Sequence, residues 1–91
     1  MPNILKRVGS ILQNRKNVSF KDLEKILLYF GYKEGQPSGG SSHYVFRKQG
    51  KTPITVPYKR PHVGSLYVSN IIELLGLEEW YEAQKDRKRF S

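Results

Sequence analysis

The chain lacks cysteine, a long apolar run and a leader-like start, and each absence excludes a class of protein. With 0 cysteines among 91 residues, no disulfide or thiolate–metal framework can stabilise the fold. No apolar run approaches the roughly 20 residues that span a bilayer, and residues 1–7 lack the apolar stretch of a signal peptide. We therefore expect a cytoplasmic, single-domain protein, residues 1–91, with no membrane association.

Carboxylates are missing from the middle of the chain. The sequence has 16 Lys and Arg against 8 Asp and Glu, which leaves a formal net charge of +8. No Asp or Glu occurs between Glu34 and Glu73, and that interval contains five lysines and arginines and both histidines. A basic region without carboxylates attracts phosphate. Because no acidic pair flanks either histidine and no P-loop is present, we expect neither a metal nor another cofactor.

The pattern of apolar residues predicts helices and strands in one order along the chain. Offsets of three and four predict helices over 2–14, 20–30, 66–75 and 78–89. Alternation and turn residues predict short strands over 32–36, 43–48 and 53–58. Ser19 and Ser65 are the expected N-caps, and Gly31 and Gly76 are expected to end helices.

Short connections between the three strands determine how they pair. Strands joined by short turns must be antiparallel, because a parallel pair needs a long crossover. One sheet face should be covered by the helices at 20–30 and 66–75, which gives a two-layer α+β domain. Pro57 should lie at a strand end or on a sheet edge, since it has no N–H to donate to a neighbouring strand.

The junction at His43 is the strongest functional signal in the sequence. A Gly/Ser-rich loop, residues 37–42, leads directly into the strand that His43 begins. Imidazole exchanges a proton near neutral pH. Cleavage of RNA without a metal needs a base for the 2′-OH and an acid for the leaving oxygen. His43 is therefore the candidate catalytic acid or base.

Cations near His43 are candidate RNA ligands, because Lys and Arg stabilise phosphate charge. Arg47 shares the strand face of His43 but lies about 13 Å further along, which suits a neighbouring phosphate better than the reacting one. His62, in a basic loop, receives no role. The residues that we assign to RNA binding are Ser41, Ser42, Arg47, Lys48, Lys59 and Arg60.

In their order and spacing, these segments resemble the HicA family of bacterial toxins. The matching motifs are Phe20-Lys21-Asp22-Leu23 to Gly31-Tyr32, Gly40-Ser41-Ser42-His43-Tyr44-Val45-Phe46 and Ile54-Thr55-Val56-Pro57, before a loop and a closing helix. The resemblance covers roughly residues 18–77. Family members usually have Gly directly before Ser-His, and here Ser41 takes the place of that glycine. Many relatives also carry a second histidine beside the Val-Pro pair, where this chain has Tyr58.

The resemblance implies a fold and an activity. The fold would be an α-β-β-β-α core like that of a double-stranded RNA-binding domain, extended by helical residues 2–14 and a C-terminal segment, 78–91. The activity would be that of a ribonuclease that cleaves mRNA and is neutralised by a HicB-type antitoxin. The catalytic histidine of the family corresponds to His43.

Two other functions are compatible with the same residues. One is a non-catalytic RNA-binding module of the same fold, which contacts phosphates and 2′-hydroxyls. The other is a regulatory protein whose basic face binds an acidic protein partner. A steep loss of RNA affinity with rising salt would argue against the second of these.

Overall fold

The computed structural model describes residues 4–35 and 42–89, which form four helices and three strands. In chain order these are α1 (Ile4–Gln13), α2 (Phe20–Tyr29), β1 (Lys33–Gly35), β2 (His43–Arg47), β3 (Ile54–Pro57), α3 (Ser65–Leu75) and α4 (Leu77–Arg89). The predicted order of elements is confirmed, and each strand is one or two residues shorter than predicted. Of the predicted loop 37–42, only Ser42 falls among the described residues.

The three strands form one antiparallel sheet in the order β1-β2-β3, as predicted. In the register of this sheet, Gly35 lies opposite Val45, and Val45 lies opposite Thr55. Because β2 is central, β1 and β3 are both edge strands. Pro57 is the last residue of β3, so it satisfies both expectations for a residue that cannot donate a backbone hydrogen bond.

Helix α2 begins where the sequence predicts and ends one residue earlier, at Tyr29, with Gly31 at the predicted position just after it. The Ser19 hydroxyl accepts a hydrogen bond from the Asp22 N–H, and the Asp22 carboxylate accepts one from the Ser19 N–H, both at 3.2 Å. This reciprocal pair is a capping box. After the helix, Gly31 has a φ of +93°, which a residue with a Cβ adopts only with strain.

The start of α3 differs from the prediction. Gly64 occupies the N-cap position, where it has no side chain to accept a hydrogen bond, and Ser65 is already the first helical residue. The predicted capping role of Ser65 is therefore wrong. The far end of α3 is as predicted, since Gly76 has the left-handed conformation, with a φ of +61°.

All four helices and one face of the sheet share a hydrophobic core. In β2 the inward-facing residues are Tyr44, which is partly buried, and Phe46, which is fully buried. The most deeply buried side chains are Val8, Leu23, Ile26, Leu27, Phe46, Val56, Val68 and Leu77. Each contributes about 1.5–3 kcal/mol of burial free energy. Because this set includes residues of α1 and α4, the terminal helices belong to the same core as the sheet.

Candidate functional site

The sheet face opposite the core presents the predicted catalytic histidine, between a buried Pro57 and a half-buried Val45. His43 is exposed at the start of β2, opposite Pro57 of β3. Because alternate side chains of a strand share a face, Val45 and Arg47 lie on the same side as His43. Thr55 of β3, opposite Val45, is also exposed. The result is a shallow surface along β2 with His43 at one end.

Two cations lie directly opposite each other at the other end of this surface. Lys33 of β1 is the register partner of Arg47 of β2, and both side chains are exposed. Like charges at directly opposed positions of a sheet repel each other, and an anion bound between them would relieve that repulsion. Arg47 is about 13 Å from His43 along the strand. We call the surface formed by His43, Val45, Thr55, Arg47 and Lys33 the open strip.

Lys33 was not identified as a site residue from the sequence, because it lies just outside the interval without carboxylates. Only the pairing of β1 with β2 could have identified it. Once β1 and β2 are joined as an antiparallel hairpin, the register determines which cation of β1 lies beside Arg47. The length of the loop between the strands does not determine that register on its own.

The basic loop after β3 is brought to the His43 end of the sheet. The Tyr58 N–H donates a hydrogen bond of 2.7 Å to the carbonyl oxygen of Ser42, one residue before His43. This bond continues the pairing of β2 with β3 past Pro57. Lys59 and Arg60 follow at once, and both are exposed. The structure therefore brings the backbone of this loop to the strand end that His43 occupies, but the side chains of Lys59 and Arg60 line a groove on the helix side of the sheet, away from the face of His43.

Arg60 is held on the ring of Tyr58. Its Nε and Nη2 atoms donate to the Tyr58 hydroxyl at 3.0 and 2.6 Å, and its guanidinium carbon lies 5.4 Å from the ring centroid. A guanidinium fixed in this way loses less conformational entropy when it binds a phosphate. The position of Arg60 thus depends on Tyr58.

Lys48 lies apart from these residues and has a structural contact. Its Nζ donates to the carbonyl oxygen of Phe30 at 2.8 Å, at the C-terminal end of α2, and lies 5.7 Å from the centroid of the Tyr32 ring. A cation at this end of a helix stabilises the helix dipole. RNA binding by Lys48 stays a prediction. Ser41, also predicted to bind RNA, lies outside the described residues.

A second surface feature lies on the helix side of the sheet, under the first turns of α2. It is a groove of about 500 Å³ that crosses from β1 over β2 to the loop after β3. We call it the aromatic groove, and the residues that define it are Phe20, Tyr44, Tyr58, Glu24, Glu34 and Arg60.

Glu24 and Glu34 form a carboxyl pair in the aromatic groove. Burial raises the pKa of Glu34 to about 7, and a side-chain hydrogen bond with Glu24 and the repulsion between the two carboxylates act in the same direction. Near neutral pH the pair therefore holds a proton that isolated glutamates would have lost. This pair was not identified from the sequence. The strand register could have revealed it, because the register puts Glu34 opposite Phe46, whose side chain faces inward toward α2.

Within the described ranges, 4–35 and 42–89, no group of three or more His, Cys, Asp or Glu side chains is arranged to hold a metal ion. No helix in the same ranges has both the length and the apolar character needed to cross a bilayer.

Comparisons with known proteins find no relative. No family model matches the chain, and neither curated proteins nor solved structures give a match. Over the residues that it describes, the structure defines an α+β protein with an open three-stranded antiparallel sheet and four helices. Its exposed sheet face combines a histidine with a pair of cations.

Proposed function

We propose that the protein is a HicA-like toxin, a cytoplasmic ribonuclease that cleaves mRNA without a metal and is neutralised by a HicB-type antitoxin. The observation that supports this function is the position of His43. It is exposed at the start of the central strand, and the hydrogen bond between Tyr58 and Ser42 holds a basic loop beside it. A group that transfers protons is thereby combined with cations that attract phosphate.

In this proposal, His43 acts as an acid or a base on one phosphodiester bond. As a base it removes the proton of the 2′-OH, which then attacks the phosphorus and displaces the 5′ oxygen. As an acid it protonates that leaving oxygen. Either transfer contributes roughly 10²–10⁴-fold to the rate. Arg47 with Lys33 holds a neighbouring phosphate, and Lys59 and Arg60, whose side chains line the groove on the helix side of the sheet, add to the positive potential that attracts RNA.

The order of elements is compatible with RNA as the ligand. The succession α2-β1-β2-β3-α3 is the α-β-β-β-α order of a double-stranded RNA-binding domain, here extended by α1 and α4. Domains of that kind contact phosphates and 2′-hydroxyls more than base edges. In the proposed complex with an antitoxin, carboxylates or bulk from the partner would cover His43, Arg47 and Lys59.

Cleavage by purified protein tests the catalytic assignment. In the presence of a chelator, we expect the wild type to cut a mixed-sequence RNA and His43→Ala to lose at least about 100-fold in rate. His62→Ala is the matched control, since it removes the other exposed histidine of the chain, and it should retain most of the activity. Equal rates for the wild type and His43→Ala would contradict the role of His43.

The same pair of proteins can be compared in cells. Induced expression of the wild type in a bacterium should arrest growth and deplete mRNA, and His43→Ala should do neither. Co-expression of a HicB-type partner with the wild type should restore growth. Growth arrest of equal strength from both proteins would show that toxicity does not depend on the imidazole.

A non-catalytic RNA-binding module is the second candidate function. The opposed cations Lys33 and Arg47 favour it, because relief of their repulsion by a phosphate requires no proton transfer. If this function is correct, the wild type will bind RNA with an affinity that falls steeply with salt. It will also leave that RNA intact across the pH range in which imidazole titrates.

A further inference from the structure

The aromatic groove lies on the opposite side of the sheet from the open strip, and the proposed cleavage does not use it. Tyr44 lines it, whereas the preceding residue, His43, points to the other face. The groove measures about 500 Å³, which is within the range of pockets that bind small organic groups. Its lining combines aromatic rings, carboxyl groups and cations. A ligand that fits must match all three kinds of group.

The wall of the groove is a rigid aromatic surface. The ring of Tyr58 lies 5.0 Å from that of Phe20 and 6.1 Å from that of Tyr44, and Phe20 and Tyr44 are 5.0 Å apart. These mutual contacts hold the three rings in place, and Tyr58 still has 39% of its surface exposed. A flat ligand can therefore stack on a surface that is already ordered, as nucleobases do on aromatic side chains.

One end of the groove is acidic and the other end is basic. The carboxyl pair of Glu24 and Glu34 lies on the β1 side, and Lys59 and Arg60 lie on the β3 side. With β2 between them, the two edge strands are about 10 Å apart. A nucleotide is of comparable length and matches both ends of the groove. Its base carries N–H donors for the carboxyl pair, and its phosphate is an anion for the lysine and arginine. A peptide of a single charge sign would meet a like charge at one of the two ends.

We propose that the aromatic groove binds one unstacked nucleotide of an RNA strand. Its base stacks on Tyr58, its exocyclic amino group donates to the carboxyl pair, and its phosphate lies on Lys59 and Arg60. The proposal rests on the proposed RNA-directed function and adds to it a binding site for a single base.

The carboxyl pair also gives the groove a base preference. Adenine and cytosine each present an amino donor beside a ring nitrogen that accepts. Carboxyl groups are rich in acceptor oxygens, and an exocyclic amino group carries two N–H donors that can reach both carboxyl groups. Uracil has no exocyclic amino group, and its single N3–H lies between two carbonyl oxygens, which repel the carboxyl oxygens. The groove therefore favours adenine or cytosine over uracil.

Binding of oligonucleotides that cannot be cleaved tests this site. The probes are 2′-fluoro oligomers of adenine, cytosine or uracil, which lack the attacking hydroxyl, and the readout is fluorescence anisotropy. In the wild type, the adenine and cytosine oligomers should bind more tightly than uracil. Tyr58→Ala should weaken their binding by roughly five- to hundredfold, the range expected for the loss of one stacked base. Tyr67→Ala is the matched control, since Tyr67 is equally exposed, at 41% against 39%, but lies outside the groove; it should change binding less than about twofold.

Further variants separate stacking from packing and from recognition. Tyr58→Leu retains an apolar contact with Phe20 but removes the ring, so it should weaken binding as Tyr58→Ala does, at a temperature where melting curves show both to be folded. Glu24→Gln with Glu34→Gln should bring the affinities for adenine, cytosine and uracil within about twofold of one another. Equal losses from Tyr58→Ala and Tyr67→Ala would overturn the site, and so would tighter binding of uracil by the wild type.

The outcome for the groove is separable from the outcome for cleavage. His43→Ala should keep the wild-type ranking of adenine, cytosine and uracil, because His43 faces the other side of the sheet and does not contact the base in the groove. A protein that cuts RNA normally with Tyr58→Ala and shows no base preference would disprove the groove site alone. A protein that prefers adenine or cytosine but never cuts RNA would disprove the nuclease alone.

Discussion

At the scale of single residues, Glu34 is where the environment changes chemistry most. Its carboxyl group lies under α2 beside Glu24, and its pKa is raised from 4.5 to about 7. The folded protein therefore binds more protons than the unfolded chain between these two values. The free energy of unfolding must then fall as the pH rises from about 4.5 to about 7. Lys21, Lys59 and Arg60 line the same groove and limit this loss.

Replacing Glu34 should remove this dependence on pH. We expect Glu34→Gln to match the wild type in stability near pH 4.5 and to exceed it near pH 7.5 by about 1 kcal/mol or less, because solvent screens this partly exposed pair. Urea unfolding at the two pH values measures the difference. Glu73→Gln, which removes an exposed carboxylate of α3, is the control and should show no such change. A Glu34→Gln protein that is less stable than the wild type at pH 7.5 would contradict the raised pKa.

At the scale of elements, only one of the two serines that the sequence predicts as N-caps occupies that position. Ser19 and Asp22 exchange hydrogen bonds at the start of α2, and Asp22 also forms a 2.6 Å ion pair with Arg7 of α1. Ser65 forms no such cap, because α3 begins one residue earlier than its position would require. The start of α2 is thus linked to a second helix, whereas the start of α3 is not capped by a side chain.

Alanine substitutions at the two serines should differ accordingly. Ser19→Ala should lower the free energy of unfolding by about 1 kcal/mol, within the 0.5–2 kcal/mol range for lost N-caps. Ser65→Ala, at an exposed position, should change it by less than about 0.5 kcal/mol. Chemical unfolding followed by circular dichroism measures both. A Ser65→Ala protein as destabilised as Ser19→Ala would show that Ser65 has a role that its position does not reveal.

At the scale of the whole molecule, the two terminal helices, α1 and α4, pack against each other. Gly9 of α1 packs so tightly against α4 that a Cβ built on it would lie 2.7 Å from the Tyr81 hydroxyl. Arg15 reaches Glu78 at 2.8 Å, and Leu77 is fully buried. The described parts of the two segments that the sequence interpretation treated as extensions, 4–14 and 78–89, thus contribute to the core through Val8, Trp80 and Tyr81.

A larger residue at Gly9 should destabilise the entire protein. Gly9→Leu forces α1 and α4 apart, and such overpacking costs about 1–3 kcal/mol, so the melting temperature should fall by at least about 4 °C. Ser10→Leu places the same side chain at the adjacent exposed position and should leave it nearly unchanged. Circular dichroism and Trp80 fluorescence should report one common transition. Separate transitions would show that α1 and α4 unfold independently of the sheet.

Local features of the structure were predictable from the sequence because they depend on neighbours a few residues away. The capping box at Ser19, the helix end at Gly31 and the strand end at Pro57 each follow from the backbone chemistry of one or two residues. The alternation of side chains along β2 is equally local, and it buries Phe46 while leaving His43 exposed on the opposite face. Strand ends were less accurate: β1 was predicted over 32–36 and spans Lys33–Gly35.

The sequence by itself determined the order of elements, the antiparallel sheet and the exposed place of His43 at a strand start. Only the tertiary structure decided which side chains meet. The register of β1 with β2 put Lys33 beside Arg47, and the packing of α2 on the sheet joined Glu24 to Glu34. The physical reason is the separation along the chain between the residues that interact. Helices, turns and strand alternation arise from contacts within a few residues, whereas register and packing depend on how distant segments bury their apolar faces together.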